Sequence, residues 1–315
     1  MGNNNLSGRH FLSLQDFTAE EIAFIIDFAR DLKQRQKRGE PHPLLAGKTL
    51  AMIFQKPSTR TRVSFEVGMW QLGGYALFLS SQELQMGRGE PIKDTAAVLS
   101  RYVDGIMIRT FAHSDVEQIA QYATVPVING LTDLLHPCQA LADLLTIEEK
   151  RGKLLGLKLA YTGDGNNVAH SLLLGCTKMG MDIAVAAPEK YQPLSEIVAK
   201  AQANAAQNGC SVLITEDPYE AVKDADIIYT DVWASMGQEE EKAARKKIFA
   251  PYQVNGDLLK AARPGALVMH CLPAYRGEEI TAEVLEGEQS VVLDQAENRL
   301  HAQKALLALL LGDTN

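Results

Sequence analysis

The chain has 315 residues, a net charge of −8, 46% hydrophobic and 22% charged residues. That length exceeds what one hydrophobic core usually serves, so two domains are expected. The acidic balance argues against a nucleic-acid partner while leaving room for a local basic pocket, and no apolar run approaches the ~18 residues of a membrane span.

The polar start Met1-Gly2-Asn3-Asn4-Asn5 lacks the basic-then-apolar order of a signal peptide. Thr18 and Glu21 form a capping pair ahead of Ile22, Ile25, Ile26 and Ala29, which predicts a helix over 18–38 ended by Pro41 and Pro43. Strand-like runs then follow at 49–54, 75–79, 104–108, 125–128, 157–162, 182–187, 211–215, 226–230, 266–270 and 290–293, with helical runs between most of them. That alternation predicts an α/β protein of two doubly wound domains, each a central parallel sheet flanked by helices. Continuous apolar stretches such as Ala184-Val185-Ala186 suit sheets buried on both faces. A polar break near 148–156 sets the domains at 1–150 and 151–294, with a helix over 135–150 running between the halves. A last apolar helix, Leu300 to Leu311 within about 295–315, is expected to pack back on the first domain. The charge run from Glu239 to Lys247 reads as a solvated helix face. Four cysteines, at 138, 176, 210 and 271, lie far apart and read as free thiols in a reducing cytoplasm.

The chemistry begins at Phe54-Gln55-Lys56-Pro57-Ser58-Thr59-Arg60-Thr61-Arg62. An apolar run precedes it and an amphipathic run follows, the layout of strand, tight turn and helix. Ser58 and Thr59 open that helix, whose N-terminal amides form an anion site. Arg60 and Lys56 make the anion a phosphate. Arg60 and Arg62 are two residues apart and cannot face the same way on a helix. Arg62 has Glu66 one turn on, so Arg60 goes to the ligand and Arg62 to the fold. Arg109 at the end of a strand, His136-Pro137-Cys138-Gln139 before a helix over 140–149, and Arg299 opening the final helix are further candidates for one pocket.

Ser58-Thr59-Arg60-Thr61-Arg62 with His136-Pro137-Cys138-Gln139 resembles the carbamoyl phosphate signature of the aspartate and ornithine carbamoyltransferase family, and the resemblance covers essentially the whole chain. It implies that Ser58, Thr59, Arg60, Thr61 and Arg299 hold the phosphate. Thr61, Arg109 and His136 would contact the carbonyl oxygen, and Gln139 the carbamoyl nitrogen. Donors on that oxygen stabilise a tetrahedral oxyanion.

Three stretches at strand ends in the second half bear on the acceptor. Gly163-Asp164-Gly165-Asn166-Asn167 half matches a dinucleotide fingerprint, with Glu189 as the ribose candidate. Val168 stands where that fingerprint needs its third glycine. Asp231-Val232-Trp233-Ala234-Ser235-Met236-Gly237 and His270-Cys271-Leu272-Pro273 resemble the ornithine-using branch. The resemblance makes Asn167, Asp231, Ser235 and Met236 the ornithine-binding positions, and adds Cys271 and Leu272 to the carbamoyl phosphate set. Asn suits a carboxylate and Asp an ammonium. Asp231 and Cys271 read as a polar pair orienting the attacking amine, His270 as structural, and no spacing suggests zinc or a nucleophilic thiol.

The resemblance therefore implies transfer of the carbamoyl group from carbamoyl phosphate to the side-chain amine of L-ornithine, giving L-citrulline and phosphate in arginine metabolism, with no metal or organic cofactor. Catalysis would assign Arg109, His136, Asp231 and Cys271. The alternative acceptor is another amine such as putrescine. The family also implies a homotrimer in which a loop over 80–91, with Gln85, reaches a neighbour's phosphate site. It implies domain closure over ornithine as well, with Ser235-Met236-Gly237 moving.

Overall fold

Thr18 starts the first helix. Its hydroxyl accepts the Glu21 N–H while the Glu21 carboxylate accepts the Thr18 N–H, so α1 covers Ala19–Lys37. The computed structural model describes residues 6–80, 89–234 and 241–312. They divide into two compact units, Met1–Leu145 with Asn298–Asn315, and Thr146–Glu297.

In the first unit the strands are β1 (Thr49–Phe54), β2 (Tyr75–Ser80), β3 (Gly105–Arg109) and β4 (Val127–Leu131). Among the described residues they form a parallel sheet in the order β2-β1-β3-β4. After α1 come α2 (Thr59–Gln71), α3 (Ile92–Leu99), α4 (His113–Tyr122) and α5 (Pro137–Arg151). Ala51, Ile53, Ile106, Ile108, Val116, Ile119 and Val127 share one core cluster. β1 and β3 are buried along almost their whole length, as parallel strands covered on both faces must be, whereas the edge strand β2 is largely open. β4 starts two residues later than its apolar run, because Pro126 has no N–H to give a ladder. It runs on through Gly130, which the register skips opposite Ile108 and Arg109. A side chain there would strike Met107 Sδ at 2.5 Å.

The second unit holds β5 (Lys158–Thr162), β6 (Asp182–Ala186), β7 (Val212–Thr215), β8 (Ile227–Thr230) and β9 (Leu267–His270), again parallel, in the order β7-β6-β5-β8-β9. Around them lie α6 (Asn167–Lys178), α7 (Ser195–Asn208), α8 (Pro218–Val222), α9 (Lys242–Phe249), α10 (Gly256–Ala261) and α11 (Ala282–Leu285). Its core cluster joins Ala160, Ala184, Ile228, Phe249 and Val268.

The last helix, α12, spans Val292–Leu311. The tenth expected strand is therefore absent from the described residues. Ser290 makes one isolated bridge to Val268, and the helix begins two residues later with Asp294 in its first turn. Arg299 consequently sits inside α12 rather than opening it. α5 likewise begins at Pro137, where the missing N–H costs nothing, rather than at 140. The unit divisions fall inside α5 and α12. Residues from Asn298 on pack within the first unit, where Lys33 donates to Asn298 Oδ1 (2.7 Å) and Lys304 to Gln36 Oε1 (2.8 Å). No described helix is long and apolar enough to cross a membrane.

Each sheet has one point where successive strands turn to opposite sides. In the first it lies between β1 and β3, in the second between β5 and β8. Open parallel sheets bind ligands outside the carboxyl ends at such points.

Candidate active site

At the first switch point, β1 runs into the turn before α2, and β3 ends on Arg109, whose carbonyl accepts the Gln55 N–H at 2.8 Å. Ser58 caps α2. Its hydroxyl accepts the Thr61 N–H (3.2 Å) and donates to Thr61 Oγ1 (3.1 Å). Thr61 is buried, while Thr59 and Arg60 are exposed at the helix start, where first-turn amides point out of the helix. Arg299 reaches this turn from α12. Its two terminal nitrogens donate to Thr61 Oγ1 (3.1 Å) and Gln139 Oε1 (2.7 Å), and Gln139 in turn donates to Asp143 (2.8 Å). Ser58, Thr61, Gln139 and Arg299 are thus joined by hydrogen bonds, and Arg60 and Arg109 act electrostatically on the adjacent His136.

Burial, and then the charges of Arg299, Arg109 and Arg60, hold the His136 imidazole well below its ordinary value of 6.5. The ring is therefore neutral at physiological pH. Its linkage to stability has a definite sign. Below pH 6.5 the unfolded chain takes the proton more readily than the fold, so His136's contribution is complete above 6.5 and is lost as pH falls toward the depressed value. His136→Gln is expected to flatten the acid side of an unfolding free energy measured against pH, and an acid limb as steep as that of the unsubstituted protein would count against this assignment.

Arg62 diverges from Arg60. It pairs with Glu66 at 3.0 Å and lies over the Phe78 ring at 3.9 Å. Lys56, which its sequence position assigns to the anion, has protein partners of its own. It is buried, ion-paired with Asp133 and set over the Phe111 ring at 4.3 Å. Cys138 donates to the Asn129 carbonyl, and burial pushes its thiol up to about 12, which leaves it inert.

At the second switch point, Asp231 follows β8. Its Oδ1 accepts the Val232 N–H (2.8 Å) and the Cys271 thiol (3.0 Å), and its Oδ2 accepts Asn166 Nδ2 (2.8 Å). Asn167 is the first residue of α6, and Asn166 caps that helix. Leu272 holds a left-handed backbone at φ +56, and its N–H donates to His270 Nδ1 at 2.9 Å. The other ring nitrogen of His270 faces Glu279 Oε1 at 3.1 Å, both side chains being buried. Asp231, His270 and Cys271 offer atoms within 4.8 Å of one another, the spacing of a metal site. With Nδ1 accepting an amide and Nε2–H facing a carboxylate, however, the ring has no lone pair left to ligate. Ser235, Met236 and Gln85 lie outside the described residues.

The glycines of Gly163–Gly165 have packing reasons of their own. Gly163 has φ +132, and a Cβ on Gly165 would come within 2.4–2.6 Å of backbone atoms of Tyr191, Gln192 and Pro193. Asn166 Oδ1 accepts the Val168 and Ala169 amides, so the protein's own side chain occupies the place a pyrophosphate would take in the rival dinucleotide reading.

Comparison with known proteins matches both halves to one family. Its carbamoyl-P binding domain fits residues 9–149, and its Asp/Orn binding domain fits residues 155–310. The chain belongs to the aspartate/ornithine carbamoyltransferase family. Among relatives, the Pyrococcus furiosus protein named "Ornithine carbamoyltransferase, anabolic" is 63% identical over 308 residues, 98% of each chain. The Thermococcus kodakarensis protein named ornithine carbamoyltransferase is 61% identical over 308 residues, again 98% of each. The solved ornithine carbamoyltransferase structure from Pyrococcus furiosus superposes with a TM-score of 0.96 at 62% identity, covering 99% of each chain.

In this family member the second unit contains side chains that its sequence pattern did not single out. Arg245 lies in the charge run expected to be solvated, yet it is buried. It donates to Asp164 Oδ2 (3.0 Å) and to the Trp233 carbonyl (2.9 Å), pairs with Glu241, and sits over the Tyr191 ring. Its position one turn before Phe249 on the buried stripe of α9 is the signal that marks it. Burial raises Asp164 to about 6 against the opposing pull of Arg245. Tyr161, pushed well above 10 by burial, stays protonated and donates to the Asp164 carbonyl at 2.8 Å.

Proposed function

We propose that this family member transfers the carbamoyl group of carbamoyl phosphate to the side-chain amine of L-ornithine, releasing L-citrulline and phosphate. The observation that carries the reading is the placement of the two residue sets, one at the switch point of each parallel sheet. Anion and carbonyl chemistry gathers at the first, and amino-acid chemistry at the second.

At the donor side, Ser58, Thr59, Arg60, Thr61 and Arg299 hold the phosphate. A helix N-terminus and two guanidinium groups stabilise charge growing on that leaving group. Thr61, Arg109 and neutral His136 bind the carbonyl oxygen, and Gln139 the carbamoyl nitrogen. The uncharged amine attacks the carbonyl carbon, and the new C–N bond gives a tetrahedral oxyanion that these donors stabilise. Collapse breaks the C–O bond to phosphate, which leaves with the electron pair, and the amine loses its extra proton.

At the acceptor side, Asn167 suits the α-carboxylate and Asp231 the α-ammonium, with Ser235 and Met236 completing the site. Cys271 and Asp231 orient the reacting amine, and Cys271 and Leu272 also border the carbamoyl group. Side chains and backbone amides supply every step. The anabolic name of the Pyrococcus relative favours net synthesis of citrulline for arginine. Four free thiols suit a reducing cytoplasm.

Assembly as a homotrimer is part of the same proposal, with Gln85 serving a neighbour's phosphate site. Trp70 (76% exposed), and Tyr75 (63%), Leu77 and Phe78 on the edge strand β2, are exposed apolar side chains suited to burial against a second copy. Light scattering is expected to give three times the chain mass of 34.5 kDa, and a monomeric mass would exclude the shared site. The activity itself is tested by product analysis, with citrulline and phosphate expected in equal amounts from carbamoyl phosphate and ornithine. Phosphate release without citrulline would overturn the reading.

A further inference from the structure

Asp231 has its two carboxylate oxygens held in different ways. Oδ1 is fixed locally, by the Val232 N–H and by the thiol of Cys271. Among the described residues, Oδ2 has one side-chain donor, Asn166 Nδ2 at 2.8 Å. That nitrogen is aimed by the other end of its own planar amide. Asn166 Oδ1 is pinned by the N–H groups of Val168 (2.9 Å) and Ala169 (3.2 Å), with the Tyr161 hydroxyl at 3.5 Å. Because a carboxamide is rigid, fixing its oxygen on the start of α6 fixes the direction of its nitrogen. Asn167 is the first residue of that same helix.

From this geometry we infer that Asn166 is a positioning residue. It ties the Asp231 carboxylate to the N-terminus of α6 and so sets the spacing between Asp231 and Asn167. The inference rests on the proposed function, in which those two residues hold the charged α-groups of the acceptor. A ruler of this kind selects an α-amino acid over a simple diamine, because the carboxylate and ammonium of the acceptor must match two fixed points. It also leaves the second lone pair of Oδ2 to face a ligand. Asn166 itself touches neither substrate.

Capping and positioning separate by substitution. Serine caps a helix as well as asparagine does but is too short to reach Asp231. Asn166→Ser is therefore expected to keep the melting temperature and the KM for carbamoyl phosphate, to raise the KM for ornithine about tenfold or more, and to narrow the preference for ornithine over putrescine. Asn166→Asp keeps both cap and length but faces Asp231 with a second carboxylate. It is expected to move the acid limb of kcat/KM for ornithine to higher pH, because two adjacent carboxylates share a proton. An Asn166→Ser enzyme with an unchanged ornithine KM, or one in which both KM values rise along with a loss of thermal stability, overturns the positioning role. An unsubstituted protein that makes no citrulline overturns the functional reading itself, and the inference with it.

Discussion

Asp231→Asn is expected to lower kcat/KM for ornithine by about 10²–10³-fold while leaving the KM for carbamoyl phosphate near its original value. The substitution preserves shape and several hydrogen bonds, since an amide oxygen can still accept from Val232 and Cys271. It removes the negative charge. Asp231 is 6% exposed, so a substrate ammonium docking there loses the negative charge facing it in a poorly hydrated place. Truncating one partner of such a charge pair costs about 2–5 kcal/mol, which gives the expected factor. The amide also brings its own N–H₂ toward Asn166 Nδ2, donor against donor. Steady-state kinetics with each substrate varied in turn check this. A loss shared equally by both substrates would mean that Asp231 supports the fold of the unit rather than the acceptor.

Arg109→Gln is expected to act on the other half of the chemistry, lowering kcat by about 10²–10³-fold, the usual cost of removing one donor from a developing oxyanion. Arg109 is 6% exposed, ends β3, and sits close enough to His136 for its charge to depress that imidazole. Glutamine is a neutral donor of shorter reach, so binding of the ground-state donor suffers less than turnover. His136 should also regain a little basicity, because one of three nearby cations is gone while burial remains the larger cause. Separate measurement of kcat and of the carbamoyl phosphate KM decides the matter. A variant with near-normal kcat and a large rise in KM would assign Arg109 to phosphate binding instead.

Much of this architecture is legible in the sequence because parallel strands buried on both faces must be written as unbroken apolar runs. Leu50 to Phe54 and Ile106 to Ile108 are such runs, and each ends at a strand end where the proposed ligand residues follow. The opening of α2 is equally legible, since Ser58 caps by rule and Arg62 and Glu66 are one turn apart. Valines at 291 and 292 mislead for the opposite reason. Two β-branched residues imitate a strand, while the buried polar residues Gln295, Asn298 and Arg299 hide the helical stripe of α12. Lys56 and Arg245 were illegible in another way. Each is buried through a partner far along the chain, Asp133 for one and Asp164 for the other; the spacing of Arg245 to Phe249 marks its burial but not that partner, and no local pattern marks Lys56. Asn166 and Asn167 stand side by side, and only the cap geometry tells which of them holds the helix.

The most direct test of the account is the acceptor preference of the purified protein. With saturating carbamoyl phosphate, kcat/KM should favour ornithine over putrescine by about 10²-fold or more, because putrescine keeps the counterpart of the α-ammonium but has no α-carboxylate to meet Asn167. Equal or better turnover of putrescine, or no citrulline at all, would contradict it.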